Sequence, residues 1–362
     1  MLRVAVCWSG LTRDVSEVTA HNKTLFDAAG ADITFDHFCQ FWSTDNKFPF
    51  KLDASIIDQI GDFIPVESVN NVSRIIDTLG PKLTITSNFK DMCAKASSSV
   101  DDNDDCFLGR YKQLFDLTIT NGRFLNVDDF RRFVHLHGRY IGLVNKLSQF
   151  YAFEQSVKLV EKYSKSEKFN YDVVLRMRYD AALIPDKVHS NLLYDLKEQL
   201  HRSFINNCMI VRHFTEEFSI DSPYDKSIVD YVLNQKIKNN NIYGVVDWIF
   251  FGSSASMYKL ANNLFKNVSA EFGHMGNVTN PNYWSSAEIL WFNEIHKKHI
   301  PCVQSNFNRS VIIRDSELFN KLKLVNYDVG EFEKIRTDDT KVSVLPNFDN
   351  SWIQRFIDLH FG

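Results

Sequence analysis

Short apolar runs alternate with amphipathic segments along the first part of the chain. Residues 2–7 form a mostly apolar run that ends at Trp8-Ser9-Gly10, the pattern of a buried strand that enters a loop. Residues 15–29 have helical character and residues 33–42 are β-branched and aromatic, which predicts a helix followed by a second strand. Because strand and helix alternate, we predict an α/β fold with a mostly parallel, Rossmann-type sheet and helices on both faces.

Helical periodicity dominates the next part of the chain, residues 111–163. Phe150, Phe153, Val157 and Val160 recur at intervals of three or four residues and form one apolar stripe. Such a stripe needs an apolar partner, so we predict a helical insertion over about residues 107–165 that packs on the sheet. No internal repeat or flexible linker divides the chain, which predicts a single domain over residues 1–362.

Composition and charge narrow the function classes. Hydrophobic residues make up 44% and charged residues 24% of the chain, which is a globular rather than a disordered balance. The formal net charge of −4 argues against a dedicated nucleic-acid-binding protein. The six cysteines are scattered without any CxxC pair, so we expect no cysteine-based zinc site and a reducing, cytoplasmic location. We also expect no transmembrane segment.

The apolar run at residues 171–180 ends in charged side chains, Arg176, Arg178 and Asp180. Alternate residues of a strand point the same way, so these three share one side at the carboxyl end of a predicted strand. They suit a phosphate-bearing ligand together with Mg²⁺ or Mn²⁺ on Asp180. An Arg–Asp ion-pair network that only ties down the strand end explains them equally well.

Two later segments carry further candidate chemistry. Asp247 lies within an apolar strand and is followed by Gly252-Ser253-Ser254, a turn that offers amides and hydroxyls to a polar ligand. The alternative is that Ser254 or Ser256 caps the next helix. Glu288 completes a Ser-x-x-Glu capping box with Ser285, or meets a sugar and acts as a general base.

In this order, these blocks resemble a family of GT-A-type glycosyltransferase-like proteins from bacterial capsule and lipopolysaccharide clusters and from viruses. The resemblance covers about residues 1–315. It rests on the opening strand with its Ser9-Gly10-x-x-Arg13 loop, on residues 36–42, 148–151 and 171–180, on residues 247–254 and on Glu288.

The resemblance implies a GT-A-like fold with a nucleotide-sugar-binding half at residues 1–180 and an acceptor-side half at residues 181–362. Asp180 would take the place of a metal-binding DxD motif, although Arg178-Tyr179-Asp180 supplies one aspartate where that motif has two. Asp247 and Glu288 would be the catalytic carboxylates, and residues 247–253 an acceptor-side glycine loop. The implied donor-binding residues are Ser9, Gly10, Arg13, Gln149, Arg176 and Arg178.

These implications predict transfer of a sugar from a nucleotide-diphosphate sugar to an acceptor hydroxyl of a glycan or other molecule, in polysaccharide or glycan synthesis. A non-catalytic carbohydrate- or nucleotide-binding protein on the same scaffold is the alternative, which the missing second aspartate favours. A nucleotidyltransferase would need two or more carboxylates for its metals. Hydrolase, P-loop and dinucleotide motifs are absent from the sequence.

Overall fold

The structure is a computed structural model of the 362-residue chain. It describes residues 1–12, 14–43, 69–88, 91–92, 95, 127–184, 192–217, 241–274, 287–305, 310–313, 316–325 and 327–328. The strands of this part are β1 (Leu2–Ser9), β2 (Ile33–Trp42), β3 (Leu83–Ser87), β4 (Val173–Arg178), β5 (Ala181–Leu183), β6 (Met209–Val211), β7 (His213–Glu217), β8 (Asn241–Val245), β9 (Ile249–Ser253), β10 (Cys302–Gln304) and β11 (Ser310–Ile312). Its helices are α1 (Ser16–Asp27), α2 (Val69–Leu79), α3 (Val127–Glu167), α4 (Leu192–Ile205), α5 (Ser254–Ala261), α6 (Leu264–His274), α7 (Ala287–Lys297) and α8 (Ser316–Leu324).

Seven of the described strands form one sheet in the order β3-β2-β1-β4-β9-β6-β10. All neighbouring pairs in it are parallel except those of β9, which runs antiparallel to β4 and β6. The chain builds outward from β1 to β3 and then returns to place β4 on the other side of β1. This reversal is the switch point at which open α/β sheets bind ligands. The predicted fold class, a mostly parallel α/β sheet with helices, is confirmed.

The first strand pairs with the apolar run that ends in Arg176, Arg178 and Asp180. β1 and β4 are parallel neighbours, with Cys7 opposite Arg176 and Ser9 opposite Arg178. Both strands are almost wholly buried, which explains why their sequences are apolar without alternation.

Helices cover both faces of the sheet, because alternate residues of its central strands enter two separate cores. Ala5 and Cys7 of β1 join the core under α3, α5, α6 and α7, whereas Val4, Val6 and Trp8 join the core under α1, α2, α4 and α8. Ser9 continues the series of Ala5 and Cys7 by strand alternation. Ser9 therefore belongs to the α3 face, and so do Arg178 opposite it and Arg176 opposite Cys7.

The long helix α3 runs for 41 residues across the first of these faces. Its stripe of Phe150, Phe153, Val157 and Val160 is completely buried, so the expected packing of this helix on the sheet is observed. The start of the predicted insertion, residues 107–126, lies outside the described residues. Among the helices described, even this longest one contains no stretch apolar enough for a membrane crossing.

Candidate functional site

The carboxyl edge of the sheet at the switch point gathers side chains from three strands. β1 ends at Ser9 and is followed by Gly10, whose φ of +115° is a backbone conformation that favours glycine. β4 ends at Arg178 and leads to Asp180. Because β9 is antiparallel, Asp247 reaches the same edge from the residues that precede its strand. The fold thus brings together residues that lie far apart in sequence.

Arg178 is the centre of a buried ion-pair network at this edge. Its Nε and Nη2 donate to the two carboxylate oxygens of Asp180 over 2.8 and 2.7 Å, and its Nη1 lies 3.8 Å from Oδ2 of Asp247. Burial disfavours the charged guanidinium, but the two carboxylates outweigh burial and raise the pKa of Arg178. Burial also raises the pKa of Asp247, against the opposing effect of both arginines. A carboxyl group with a raised pKa is better suited to accept a proton near neutral pH.

Tyr179, between the two paired residues, points to the other face of the sheet. Its ring stacks on Trp8 at 5.8 Å and on Phe41 at 5.6 Å between centroids, and its hydroxyl donates to the Gln40 carbonyl over 3.1 Å. The end of β4 that carries Arg178 and Asp180 is therefore held by contacts on the face of the sheet opposite α3.

Arg176 is buried in an aromatic cage. Its guanidinium carbon lies 4.8, 5.1 and 6.0 Å from the ring centroids of Trp291, Phe250 and Phe153. The side chain is 1% exposed, and within the described part of the chain its Nε and Nη1 have no hydrogen-bond partner. Burial lowers the pKa of Arg176 to about 10, although Asp247 opposes the fall. Burying a charge whose donors lack hydrogen bonds is energetically unfavourable, so Arg176 lowers the free energy of unfolding of the chain.

Further buried polar atoms, one each on β1, α3 and α7, have no hydrogen-bond partner among the described residues. They are the Oγ of Ser9, the Oε1 of Gln149 and the Nε1 of Trp291. Gln149 is next to Phe150, whose ring stacks on Trp291 with centroids 4.3 Å apart. Native proteins pair nearly all such atoms. Buried polar atoms on the α3 face of the sheet are therefore available to bind a ligand or an ordered water.

Lys146 and Glu288 complete the charges of the site. Lys146 lies one helical turn before Phe150, and Glu288 lies one turn before Trp291, so the stacked rings bring the two charged groups to the same region. Burial lowers the pKa of Lys146 to about 8, while Glu288 opposes the fall. Glu288 also interacts electrostatically with Arg176 and Arg178. Lys146 was not predicted from the sequence, although this residue continues the buried stripe of α3 by one turn.

The turn at Gly252-Ser253-Ser254 lies at the opposite end of the sheet. Ser253 pairs with Val173 at the start of β4, because β9 runs antiparallel to it. Its hydroxyl accepts from the amide of Ser256 and caps α5, and the Ser254 hydroxyl donates to the Tyr171 carbonyl over 2.6 Å. The expected acceptor-side glycine loop is therefore wrong for Gly252 and Ser253. The helix cap is Ser253 rather than Ser254 or Ser256.

Some predicted residues cannot be placed. Arg13, predicted to bind the donor, and Ser285, predicted to form a capping box with Glu288, both lie outside the described residues. Glu288 itself is in the first turn of α7.

The residues at Asp180 do not fit a divalent cation in this arrangement. Both carboxylate oxygens of Asp180 accept from Arg178. In the described part of the chain, no group of three or more His, Cys, Asp or Glu side chains is placed to hold a metal ion. Mg²⁺ needs oxygen ligands in near-octahedral geometry, and a guanidinium now fills the position that faces them.

Comparison with known proteins adds little to this geometry. No family model and no curated protein matches the chain, so the resemblance to a bacterial and viral family has no support from either. Among solved structures, mouse xyloside xylosyltransferase 1 in its apo form is similar, with a TM-score of 0.34, 9% identity and 84% of each chain covered. A likeness at this TM-score carries no argument. The α/β fold class rests on the strand order, and the chemistry of the site rests on its own residues.

Proposed function

We propose that this chain is a glycosyltransferase that moves a sugar from a nucleotide-diphosphate sugar to an acceptor hydroxyl. The observation that carries the proposal is Arg176, a buried cation at the switch point of an α/β sheet, whose Nε and Nη1 have no hydrogen-bond partner among the described residues. Such a cation is costly unless it meets an anion, and the switch point is where nucleotides bind in this fold class. Residues 1–180 would supply most of the donor site and residues 181–362 the acceptor side.

Two chemical tasks follow for the residues at the edge. The first is to stabilise the negative charge that develops on the leaving diphosphate, for which Arg176, Lys146 and the unpaired Ser9 hydroxyl are available. Gly10 leaves the approach to the β1 end open as far as the described residues show, because none of their atoms lies within 4 Å of the position of a Cβ there. Gln149, with its unpaired oxygen, would orient a donor hydroxyl or amide.

The second task is to remove the proton of the acceptor hydroxyl. Asp247 and Glu288 are the candidates, and both interact with the same two arginines. The raised pKa of Asp247 suits a general base that must accept a proton and later release it. Asp247 is therefore assigned as the base and Glu288 as the residue that positions Lys146.

The experiment is a donor panel with the purified full chain. Release of nucleotide diphosphate from UDP-sugars and GDP-sugars is measured with simple glycoside acceptors, in the native chain and in Asp247→Asn. Turnover of at least one donor that Asp247→Asn lowers by about 100-fold or more, the loss typical of a removed general base, supports the proposal. Loss of turnover in the control Asp172→Asn, at the other end of β4, would contradict it.

A non-catalytic nucleotide- or carbohydrate-binding protein is the second candidate. It is favoured by the bidentate pairing of Asp180 with Arg178, which leaves this carboxylate without a free oxygen. Binding of nucleotide diphosphates that raises the melting temperature without any turnover would select it.

A further inference from the structure

All three guanidinium nitrogen atoms of Arg178 face carboxylate groups. Nε and Nη2 bind the two oxygens of Asp180, and Nη1 faces Asp247 at 3.8 Å. Both carboxylate side chains are only 4% exposed, and the Arg178 side chain is 20% exposed. A single positive group thus lies between two buried carboxylates that come from different strands.

This is the position that a divalent cation would take if these carboxylates were its ligands. A cation cannot enter there while the guanidinium stays, because both Asp180 oxygens are already engaged. Separating a buried, bidentate ion pair is strongly unfavourable, since it leaves an uncompensated charge in the interior. The raised pKa of Arg178 agrees with a guanidinium that these carboxylates hold firmly.

We propose that Arg178 is the resident cation of this site, and that the chain binds a nucleotide diphosphate without a divalent metal ion. Asp180 is then a positioning residue that fixes Arg178, rather than a metal ligand. The negative charge of the diphosphate is then neutralised by Lys146 and by Arg176, two of whose nitrogen atoms have no hydrogen-bond partner among the described residues. This proposal rests on the proposed function for its ligand, but its claim about metal does not.

The first test uses Mn²⁺ alone, with free Mn²⁺ followed by electron paramagnetic resonance. We expect the native chain, Asp180→Asn and the control Asp172→Asn to bind Mn²⁺ identically. Arg178→Met frees both carboxylates and should gain one Mn²⁺ site per chain, which the double variant Arg178→Met/Asp180→Asn should lose again. Where Asp180→Asn does not fold, Asp180→Ser removes the same ligand.

Two results overturn the proposal. One is a Mn²⁺ site in the native chain that disappears in Asp180→Asn but not in Asp172→Asn. The other is a folded Arg178→Met chain that gains no Mn²⁺ site, because the guanidinium would then not occupy a cation position.

The second test adds UDP or GDP, with and without EDTA, in a calorimetric titration. Equal affinity in EDTA and in Mn²⁺ supports the proposal, and at least tenfold weaker binding in EDTA overturns it while leaving the proposed function intact. If neither nucleotide binds under any condition but the Mn²⁺ titrations give the expected result, the proposed function fails and the assignment of Arg178 stands.

Discussion

Replacing Arg176 with methionine separates a functional cation from a structural one. Methionine keeps an unbranched apolar stem against Trp291, Phe250 and Phe153 but removes the charge. If the guanidinium awaits an anion, its removal should relieve the fold and disable the site. If it ties the core together, its removal should destabilise the fold.

The expected size of the effect follows from the pKa of Arg176. Its fall from the ordinary arginine value to about 10 corresponds to about 3 kcal/mol for holding the charge at neutral pH, since a tenfold change in proton affinity is worth about 1.4 kcal/mol. This figure already includes the attraction of Asp247, Asp180 and Glu288. The aromatic contacts return about 1–2 kcal/mol. Arg176→Met should therefore stabilise the fold by about 1–2 kcal/mol, a rise of about 1–3 °C in melting temperature.

The assay pairs thermal unfolding with nucleotide titration on the same protein. We expect the affinity for nucleotide diphosphate to fall by about tenfold or more, because a hydrogen bond to a charged group is worth about 1.5–3 kcal/mol. The control is Arg3→Met, which removes an exposed arginine whose guanidinium carbon lies 4.8 Å from the Phe169 ring centroid. It should leave both readouts almost unchanged. A melting temperature lowered by more than about 2 °C in Arg176→Met, a loss of about 1–2 kcal/mol or more for a chain of this length, would refute the reasoning.

Three further outcomes are expected. Nucleotide affinity should fall as pH rises above about 8, because the ammonium of Lys146 is present below its lowered pKa and lost above it, and calorimetry on Lys146→Gln should show no such fall. Glu154→Leu should cost about 1–3 kcal/mol in urea unfolding, because the Phe265 amide at the start of α6 then loses its buried carboxylate acceptor. Gly252→Ala should lower the free energy of unfolding by about 1–3 kcal/mol, because the new Cβ would lie 2.8 Å from Cγ of Met209. Nucleotide affinity should not change. Weakened nucleotide binding at unchanged stability would instead indicate that this turn contacts the ligand.

The sheet and its two central strands, β1 and β4, were predictable because strands that are buried on both faces have mostly apolar sequences. β1 and β4 are apolar on both faces, as only strands in the middle of a covered sheet are. The buried stripe of α3 was visible for a similar reason, since its spacing matches the helical period. The meeting of Ser9 with Arg178 followed from the parallel pairing of β1 and β4.

The direction of β9 was not predictable, and this accounts for the wrong placement of Gly252 and Ser253. The apolar pattern of a strand is the same whether the strand runs parallel or antiparallel to its neighbours. The pattern therefore does not indicate which end of β9 lies at the edge of the sheet that carries Arg178 and Asp180. The pairing of Arg178 with Asp180 was only one of two open interpretations, because residues two apart on a strand can bind each other or a shared ligand. Lys146 was missed because a lysine on a helix is normally solvated, and its burial arises from tertiary packing that the sequence of α3 does not reveal.

The anchoring of Tyr179 by Trp8 and Phe41 bears on how a ligand can bind at the end of β4. Tyr179 is stacked on two rings and its hydroxyl donates to a carbonyl of β2, two strands away from β4, so these contacts restrain the end of β4. Arg178 and Asp180 are thus a fixed wall, and little ordering entropy is lost there when a ligand binds.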